Sequence, residues 1–160
     1  MPINLEVSEK LGNRVRVRVC GVLISDNKLL MINHHGLYGH DFWSFPGGGV
    51  EFGESPVAAL RREFQEECGI SVEPGLHTIS CSVVKPPLHA VELFFNIKSF
   101  QGKPAAGSDP ERGKNQIISD LQFLSWNEIS KFPINHLHPL FRHLTHPSEI
   151  ADTTGFYELT

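Results

Sequence analysis

The segment from Gly48 to Ile70, GGVEFGESPVAALRREFQEECGI, restricts the fold of this chain more than any other part. Ser55 is a preferred N-cap residue, and Pro56 stands at the first helical position, where its missing N–H costs nothing. Gly69 is placed to end the helix in the left-handed conformation. The segment therefore predicts a helix that runs to about Cys68.

Two faces of this predicted helix differ in chemistry. Its apolar face, at about 100° per residue, contains Val57, Leu60, Phe64 and Cys68. Its acidic face contains Glu63, Glu66 and Glu67. Three carboxylates within one turn repel each other, and a hard divalent cation compensates that repulsion. The helix is therefore predicted to be anchored by its apolar face and to present a metal-binding face.

The same segment resembles the Nudix box. The matching positions are Gly48, Glu54, Arg62, Glu63, apolar Phe64, Glu66, Glu67, Gly69 and apolar Ile70. The resemblance implies a fold of the α+β type, an α/β/α sandwich with a mixed central sheet. It also implies the family's reaction, which is the Mg²⁺-dependent hydrolysis of a pyrophosphate bond in a nucleoside diphosphate linked to another moiety.

The resemblance also implies roles for the residues of the box. Glu66 and Glu67 would be the main ligands of Mg²⁺, with Mn²⁺ as the alternative ion. Glu63 would complete the site as a ligand or as the acceptor of a proton from the attacking water. Gly48 would permit a tight turn, and the backbone around it would add a carbonyl ligand.

Two further box residues would support the metal site, and a general base would lie outside the box. Arg62 would orient the glutamates through charge-assisted bonds. Glu54 would support the junction between loop and helix or contact the metal through water. The candidates for the base are Glu51, Glu92, Asp109 and Glu111, each of which could equally be a surface carboxylate.

The rest of the chain is predicted to form strands, short helices and loops in one domain, 1–160, with a core of about 14–145 and short flexible termini. Loops are expected at Pro46–Gly49 and Gln101–Gln116, and the final dozen residues are expected to form a tail. The predicted strands are Arg14–Ser25 with a turn at Asp26–Asn27, Lys28–Ile32, Phe42–Phe45, His77–Val84, Ala90–Lys98 and Ile117–Leu124. The predicted later helices begin with a capping box at Ser125–Glu128 and then span His136–His143.

Evidence for the substrate lies outside the box and supports two alternatives. Pro86 follows Ile70 by sixteen residues, a spacing that resembles ADP-ribose pyrophosphatases, although Pro86 and Pro87 could equally end a strand. The short segment before the first strand is instead typical of compact members that hydrolyse nucleoside triphosphates, including oxidised ones. ADP-ribose or a related nucleotide sugar is the preferred prediction. A catalytically inactive nucleotide-sensing module is the third alternative, and the intact glutamates argue against it.

Four side chains are candidates for substrate contacts. Arg18 shares one strand face with Arg14 and Arg16, a row that could equally face solvent or a dimer partner. Phe45 could stack on a base or pack in the core. The remaining two candidates, His40 and Glu111, stand in predicted loops.

Composition limits the partners of the chain. With 14 Lys and Arg against 18 Asp and Glu, the formal net charge of −4 argues against nucleic acid or an anionic membrane as a partner. The expected partners are a small-molecule nucleotide and a second copy of the chain in a homodimer. Three widely spaced cysteines predict buried thiols and a cytoplasmic location, and the N-terminal residues lack the pattern of a signal peptide.

Overall fold

A computed structural model of the chain describes residues 5–107 and 118–160, which form nine strands, three α-helices and three 3₁₀ helices. No helix in these residues combines the length and the apolar character that crossing a lipid bilayer requires. The α-helices are α1 (Leu5–Leu11), α2 (Pro56–Cys68) and α3 (Trp126–Ser130). The strands are β1 (Val15–Val22), β2 (Ile24–Ser25), β3 (Lys28–His34), β4 (Trp43–Ser44), β5 (Gly47–Gly49), β6 (Ser71–Lys85), β7 (Leu88–Gln101), β8 (Ile118–Ser125) and β9 (Gly155–Leu159).

The strands form two sheets. In the larger sheet the order is β5-β1-β7-β6-β9. The pairs β1–β7 and β6–β9 are parallel, whereas β1–β5 and β6–β7 are antiparallel. In the smaller sheet β3 pairs with β2, β4 and β8. The mixed central sheet with few helices confirms the predicted fold class.

Helix α2 begins and ends where the sequence predicts. The Ser55 hydroxyl accepts a hydrogen bond from the Ala58 N–H at 3.2 Å, and Gly69 adopts the left-handed conformation with φ of 67°. Leu60 and Phe64 are fully buried on the face that packs against the larger sheet. The apolar face of the helix therefore anchors it, as the periodicity indicates.

The glycine-rich segment is a strand rather than the predicted loop. Gly47 pairs with Cys20 and Gly48 with Val19, so that β5 forms one edge of the larger sheet. A Cβ at Gly47, where φ is 153°, would lie 1.9 Å from the Val19 carbonyl oxygen. The absence of side chains allows the backbone to approach β1 this closely, so the same glycines that suggest a loop make this pairing possible.

Both ends of the described chain contribute to the packing, which corrects the predicted core limits of 14 and 145. Strand β9 pairs with β6, and Leu159 is buried. At the other end, α1 buries Val7 against Leu37 and Phe42. The expected tail and lead-in are therefore regular structure, since parallel pairing with a distant strand leaves no local signal in the sequence.

The predicted helix over His136–His143 is also corrected, because this part of the chain forms separate 3₁₀ helices. These are Ile134–His136, Pro139–His143 and Pro147–Ala151. Prolines at the first position of the second and third helices separate these short turns, because proline has no N–H to continue an earlier helix. The predicted capping box at Ser125 and Glu128 is confirmed.

Candidate active site

Arg62 on α2 joins the helix to β5 and to three carboxylates. Its guanidinium donates to Glu54 twice, from Nε to Oε1 at 2.9 Å and from Nη2 to Oε2 at 3.0 Å. Its Nη2 also donates to the Gly49 carbonyl at 3.0 Å, and its Nη1 donates to Glu63 at 2.9 Å and to Glu66 at 3.2 Å. Hydrogen bonding from Arg62 lowers the pKa of the Glu54 carboxyl. Arg62 therefore holds the carboxylates in fixed positions.

The glycines of β5 lie directly against the glutamates of α2. The Gly47 N–H donates to Glu67 Oε2 at 2.9 Å. A Cβ at Gly48 would lie 2.3 Å from the carboxyl carbon of Glu63. Glu63 and Glu67 are only 3% and 2% exposed, while the side chain of Glu66 is 28% exposed. A side chain at Gly48 would therefore displace the carboxylate of Glu63.

The chemistry of this cluster suits a hard divalent cation. The carboxylates of Glu54, Glu63 and Glu66 contact the Arg62 guanidinium, and that of Glu67 accepts from the Gly47 N–H. All four carboxylates offer oxygen donor atoms. Within residues 5–107 and 118–160, no three His, Cys, Asp or Glu side chains are arranged to hold an ion as they stand. The bonds to Arg62 explain this, because they direct Glu63 and Glu66 toward the guanidinium.

Arg18 lies beside this cluster and belongs to a second, buried group of charges. It stands opposite Gly49 in the pairing of β1 with β5. Its Nη1 donates to Glu92 Oε1 at 3.3 Å, and Glu92 Oε2 lies 2.8 Å from His138 Nε2. Burial raises the pKa of the Glu92 carboxyl, but the opposing effects of His138 and Arg18 are larger and hold it below its usual value.

From Val15 to Arg18, strand β1 exposes its valine side chains more than its arginine side chains. The exposed fractions of Val15 and Val17 are 61% and 44%, whereas the side chain of Arg18 is 23% exposed. Arg16 and Arg18 line a cavity of about 450 Å³. Helix α1 and residues 34–44 form part of its wall, and they cover the face of β1 that the arginines share.

One face of β1, β7 and β6 forms the floor of this cavity, and we call it the cationic cavity because Arg16, Arg18, Lys85 and Arg142 line it. His40 also lines it and stacks on His136 with a centroid distance of 4.4 Å. Its volume falls in the range of about 300–1,000 Å³ that is typical of small-molecule sites.

Phe45, one of the predicted contact residues, is not among the residues that line this cavity. Phe45 is 1% exposed, and its ring stacks on Phe141 at 5.4 Å and packs edge-on against Phe94 at 5.0 Å. Its position therefore favours core packing over stacking on a base. Glu111, like the candidate base Asp109, lies outside the described residues. Glu51 is exposed, and its backbone N–H donates to Glu54 at 3.1 Å.

Several residues at the site have no signal in the sequence analysis. Lys85 and Arg142 come from distant segments and meet only in the folded chain. Phe52 of the box is fully exposed and lines a more open groove of about 650 Å³. Leu11 and Arg16 line both this groove and the cationic cavity, so the two are adjacent. For Phe52, the position between Gly48 and Glu54 of the box is the one sequence feature that indicates a place near the site.

Comparison with known proteins gives a match to the NUDIX domain model over residues 13–144. An ADP-ribose pyrophosphatase of Methanocaldococcus jannaschii is 29% identical over 122 residues, 75% of this chain and 68% of that protein. An RNA pyrophosphohydrolase of Acinetobacter baylyi is 54% identical over 22% of this chain and 21% of its own length. An 8-oxo-dGTP diphosphatase of Proteus vulgaris is 44% identical over 32% of this chain and 48% of its own length.

The fold has counterparts among solved structures. The crystal structure of a MutT NUDIX hydrolase from Burkholderia pseudomallei superposes with a TM-score of 0.66. The match covers 81% of this chain and 95% of that one at 22% sequence identity. Identity at this level supports the fold alone.

Proposed function

This chain belongs to the NUDIX family and is a pyrophosphohydrolase, and from that premise we propose that its substrate is ADP-ribose or a related nucleotide sugar. The observation that carries this choice is the alignment to an ADP-ribose pyrophosphatase across three quarters of the chain, 75%. The relatives with other activities align over 22% and 32% of it. The sixteen-residue spacing from Ile70 to Pro86 supports the same substrate.

Pro86 lies next to residues that line the cationic cavity, which links it to the proposed substrate site. Pro86 lies in the turn between β6 and β7. Lys85 and Leu88, on either side of this turn, line the cationic cavity. A change in the turn would therefore alter the wall of the proposed recognition site.

The proposed chemistry depends on the carboxylates beside β5. Glu63, Glu66 and Glu67 would hold Mg²⁺, and Mn²⁺ would serve as an alternative. When bound, the ion neutralises the diphosphate and lowers the pKa of a bound water. The bond from the Gly47 N–H keeps Glu67 oriented toward β5. The Gly48 carbonyl would add an oxygen donor, as the resemblance to the family implies, and the backbone of Gly48 lies against the Glu63 carboxylate.

The remaining box residues would position these ligands and accept a proton. Arg62 would hold Glu63 and Glu66 in place through the bonds described above, and Glu54 would fix Arg62 in turn. Glu63 would accept the proton of the attacking water, because its carboxylate lies on the acidic face beside Gly48. Glu92 is a weaker candidate for this role, since both of its oxygens are engaged by buried partners.

Hydrolysis of nucleoside triphosphates, including oxidised ones, is the second candidate function. The 44% identity to an 8-oxo-dGTP diphosphatase favours it, although the aligned segment is 54 residues long. The cationic cavity could accept the nucleoside of either substrate class, with His40 in its wall. The two candidates differ in their products, which are AMP and ribose phosphate for ADP-ribose and pyrophosphate for a triphosphate.

A product screen with Mg²⁺ tests the proposal. The panel contains ADP-ribose, other nucleotide sugars, dinucleoside polyphosphates, nucleoside triphosphates and 8-oxo-dGTP. We expect the highest kcat/KM with ADP-ribose or a nucleotide sugar. A higher value with a triphosphate would replace this proposal by the second candidate, and no hydrolysis of any compound would indicate a nucleotide-sensing module.

We also propose a cytoplasmic location and a homodimer. The first is supported by Cys20, Cys68 and Cys81, which are free and buried. The second is supported by the exposed apolar side chains of Val15 and Val17 on β1. Sedimentation equilibrium of the protein and of a Val17→Lys variant would test the dimer.

A further inference from the structure

The charge of the cationic cavity is opposite to that of the chain. Its described lining contains Arg16, Arg18, Lys85 and Arg142, whereas Glu92 supplies the one acidic side chain in that lining. The chain as a whole has a formal net charge of −4. A positively charged cavity in a negatively charged protein attracts and retains an anionic group.

Most of the negative charge inside the cavity is already compensated. Glu92 is paired with Arg18 and contacts His138 through its second oxygen. Lys85 and Arg142 therefore contribute positive charge that Glu92 does not balance. Glu92 is buried, whereas Lys85 and Arg142 are exposed, and we call the part of the cavity that these two line its rim.

Lys85 and Arg142 form a cationic pair at the rim. The Lys85 ammonium lies 3.8 Å from the centroid of the Tyr38 ring, and Arg142 donates to the Thr160 carbonyl at 3.0 Å. Neither forms an ion pair with a carboxylate side chain within the described residues. Burial, together with the charge of Arg142, lowers the pKa of Lys85. An anion between them would relieve this repulsion.

This rim is separate from the place where the diphosphate would react. Arg18 stands opposite Gly49, whose carbonyl binds Arg62, so the floor near Arg18 adjoins the acidic cluster. Along β7, Leu88 at the rim lies four residues from Glu92, which is about 13 Å at the usual rise of a strand. An anionic group at Lys85 would thus be additional to the reacting diphosphate.

The walls between floor and rim suit a nucleoside. Leu37, Tyr38 and Phe42 line the cavity and provide apolar and aromatic surface. Helix α1 contributes Val7 and Leu11 to the same wall, although it precedes the residues that match the family model. The cavity therefore combines an apolar and aromatic wall that suits the rings of a nucleoside with the cations Lys85 and Arg142.

We propose that the cationic cavity binds a phosphomonoester on the part of the substrate that does not react, with Lys85 and Arg142 as its ligands. The inference rests on the proposed function and refines its substrate class. When two diphosphate substrates differ only by one additional phosphomonoester, the chain hydrolyses the one that carries the phosphomonoester with the higher kcat/KM. The guanidinium of Arg142 and the ammonium of Lys85 supply the charge-assisted hydrogen bonds.

Matched substrate pairs test this inference with the full chain and Mg²⁺. The pairs are ADP-ribose with its 2′-phosphate, NAD with NADP, and dephospho-coenzyme A with coenzyme A. We expect kcat/KM to be about tenfold higher or more for the phosphorylated member of at least one pair, as one charge-assisted bond would produce. In Lys85→Gln/Arg142→Gln the ratio should fall to about one, whereas the exposed control Lys98→Gln should keep it.

A binding experiment separates this inference from the proposed function. Calorimetry in EDTA compares adenosine 2′,5′-bisphosphate with AMP, so no turnover is involved. Tighter binding of the bisphosphate that the double variant loses would support the inference even if no substrate is hydrolysed. Hydrolysis with equal kcat/KM in every pair would overturn the inference alone, as would a preference that survives in the folded double variant.

Discussion

Adding one methyl group at Gly48 tests the contact between β5 and α2. The three atoms nearest to a Cβ at this position are the carboxyl atoms of Glu63, at 2.3 to 2.6 Å. Because Gly48 does not require a positive φ, alanine introduces crowding without backbone strain. Gly48→Ala therefore changes the position of one carboxylate and little else.

The size of the effect follows from that distance. Ordinary contacts of a Cβ begin near 3.4 Å, so the Glu63 carboxylate must move by about 1 Å. A displacement of this size at a reacting centre costs about 10²-fold in rate, and we expect that loss in kcat/KM. The cost in stability should lie at the low end of overpacking, about 1 kcal/mol, because the end of a side chain can swing aside.

A double-mutant cycle with Glu63→Ala isolates the contact. Without the carboxylate, Gly48→Ala should stabilise the protein by about 0.4–1 kcal/mol through the unfolded state. The coupling energy from urea unfolding should then be about 1.4–2 kcal/mol. Gly75→Ala, which crowds the Asn96 carbonyl at 2.9 Å outside the site, serves as the control for activity. Equal effects of Gly48→Ala in both backgrounds, or full activity of the single variant, would refute the reasoning.

Four other outcomes are expected. Glu67→Gln should lower kcat by orders of magnitude with the far-ultraviolet circular dichroism unchanged, and a folded, fully active variant would contradict its role as a ligand. EDTA should abolish hydrolysis and excess Mg²⁺ should restore it, whereas activity that survives thorough chelation would exclude a metal mechanism. Pro86→Ala should reduce ADP-ribose turnover more than triphosphate turnover, and equal losses would remove this proline as a determinant of specificity. The pKa of Glu92 is lower in the folded chain than the value of about 4.3 expected in the unfolded chain. Glu92 therefore stabilises the fold fully when the pH is above about 4.3, and this stabilisation is lost as the pH falls through the folded pKa. Urea unfolding of Glu92→Gln should therefore show a deficit of about 3 kcal/mol near pH 7 that narrows below pH 5, and a deficit independent of pH would contradict the assignment.

The errors in the sequence analysis share a physical origin. The glycines at Gly47–Gly49 suggest a loop because they lack side chains, and for the same reason they allow a strand to pack against β1. The sequence pattern of β1 alternates, yet Val15 and Val17 are exposed, Val19 on the same face is fully buried, and Arg18 is half-buried. Periodicity shows that two faces differ, and it does not show which face the rest of the chain covers.

Local chemistry in the sequence determines the helix of the site. The cap at Ser55, the stop at Gly69 and the apolar and acidic faces of α2 all depend on residues within a few positions of each other. The same segment is sufficient to indicate the family and the class of reaction. These features could be predicted because their interactions are short in sequence.

Tertiary structure alone decides the cationic cavity, which is the proposed recognition half of the site. Arg18 and Glu92 are 74 residues apart, and Glu92 and His138 are 46 apart, so only the pairing of β1 with β7 and the docking of the later 3₁₀ helices bring them together. Lys85 and Arg142 meet at the rim for the same reason. Contacts between such distant residues leave no periodic pattern, because their spacing is set by how the sheet and the helices pack rather than by the geometry of one element.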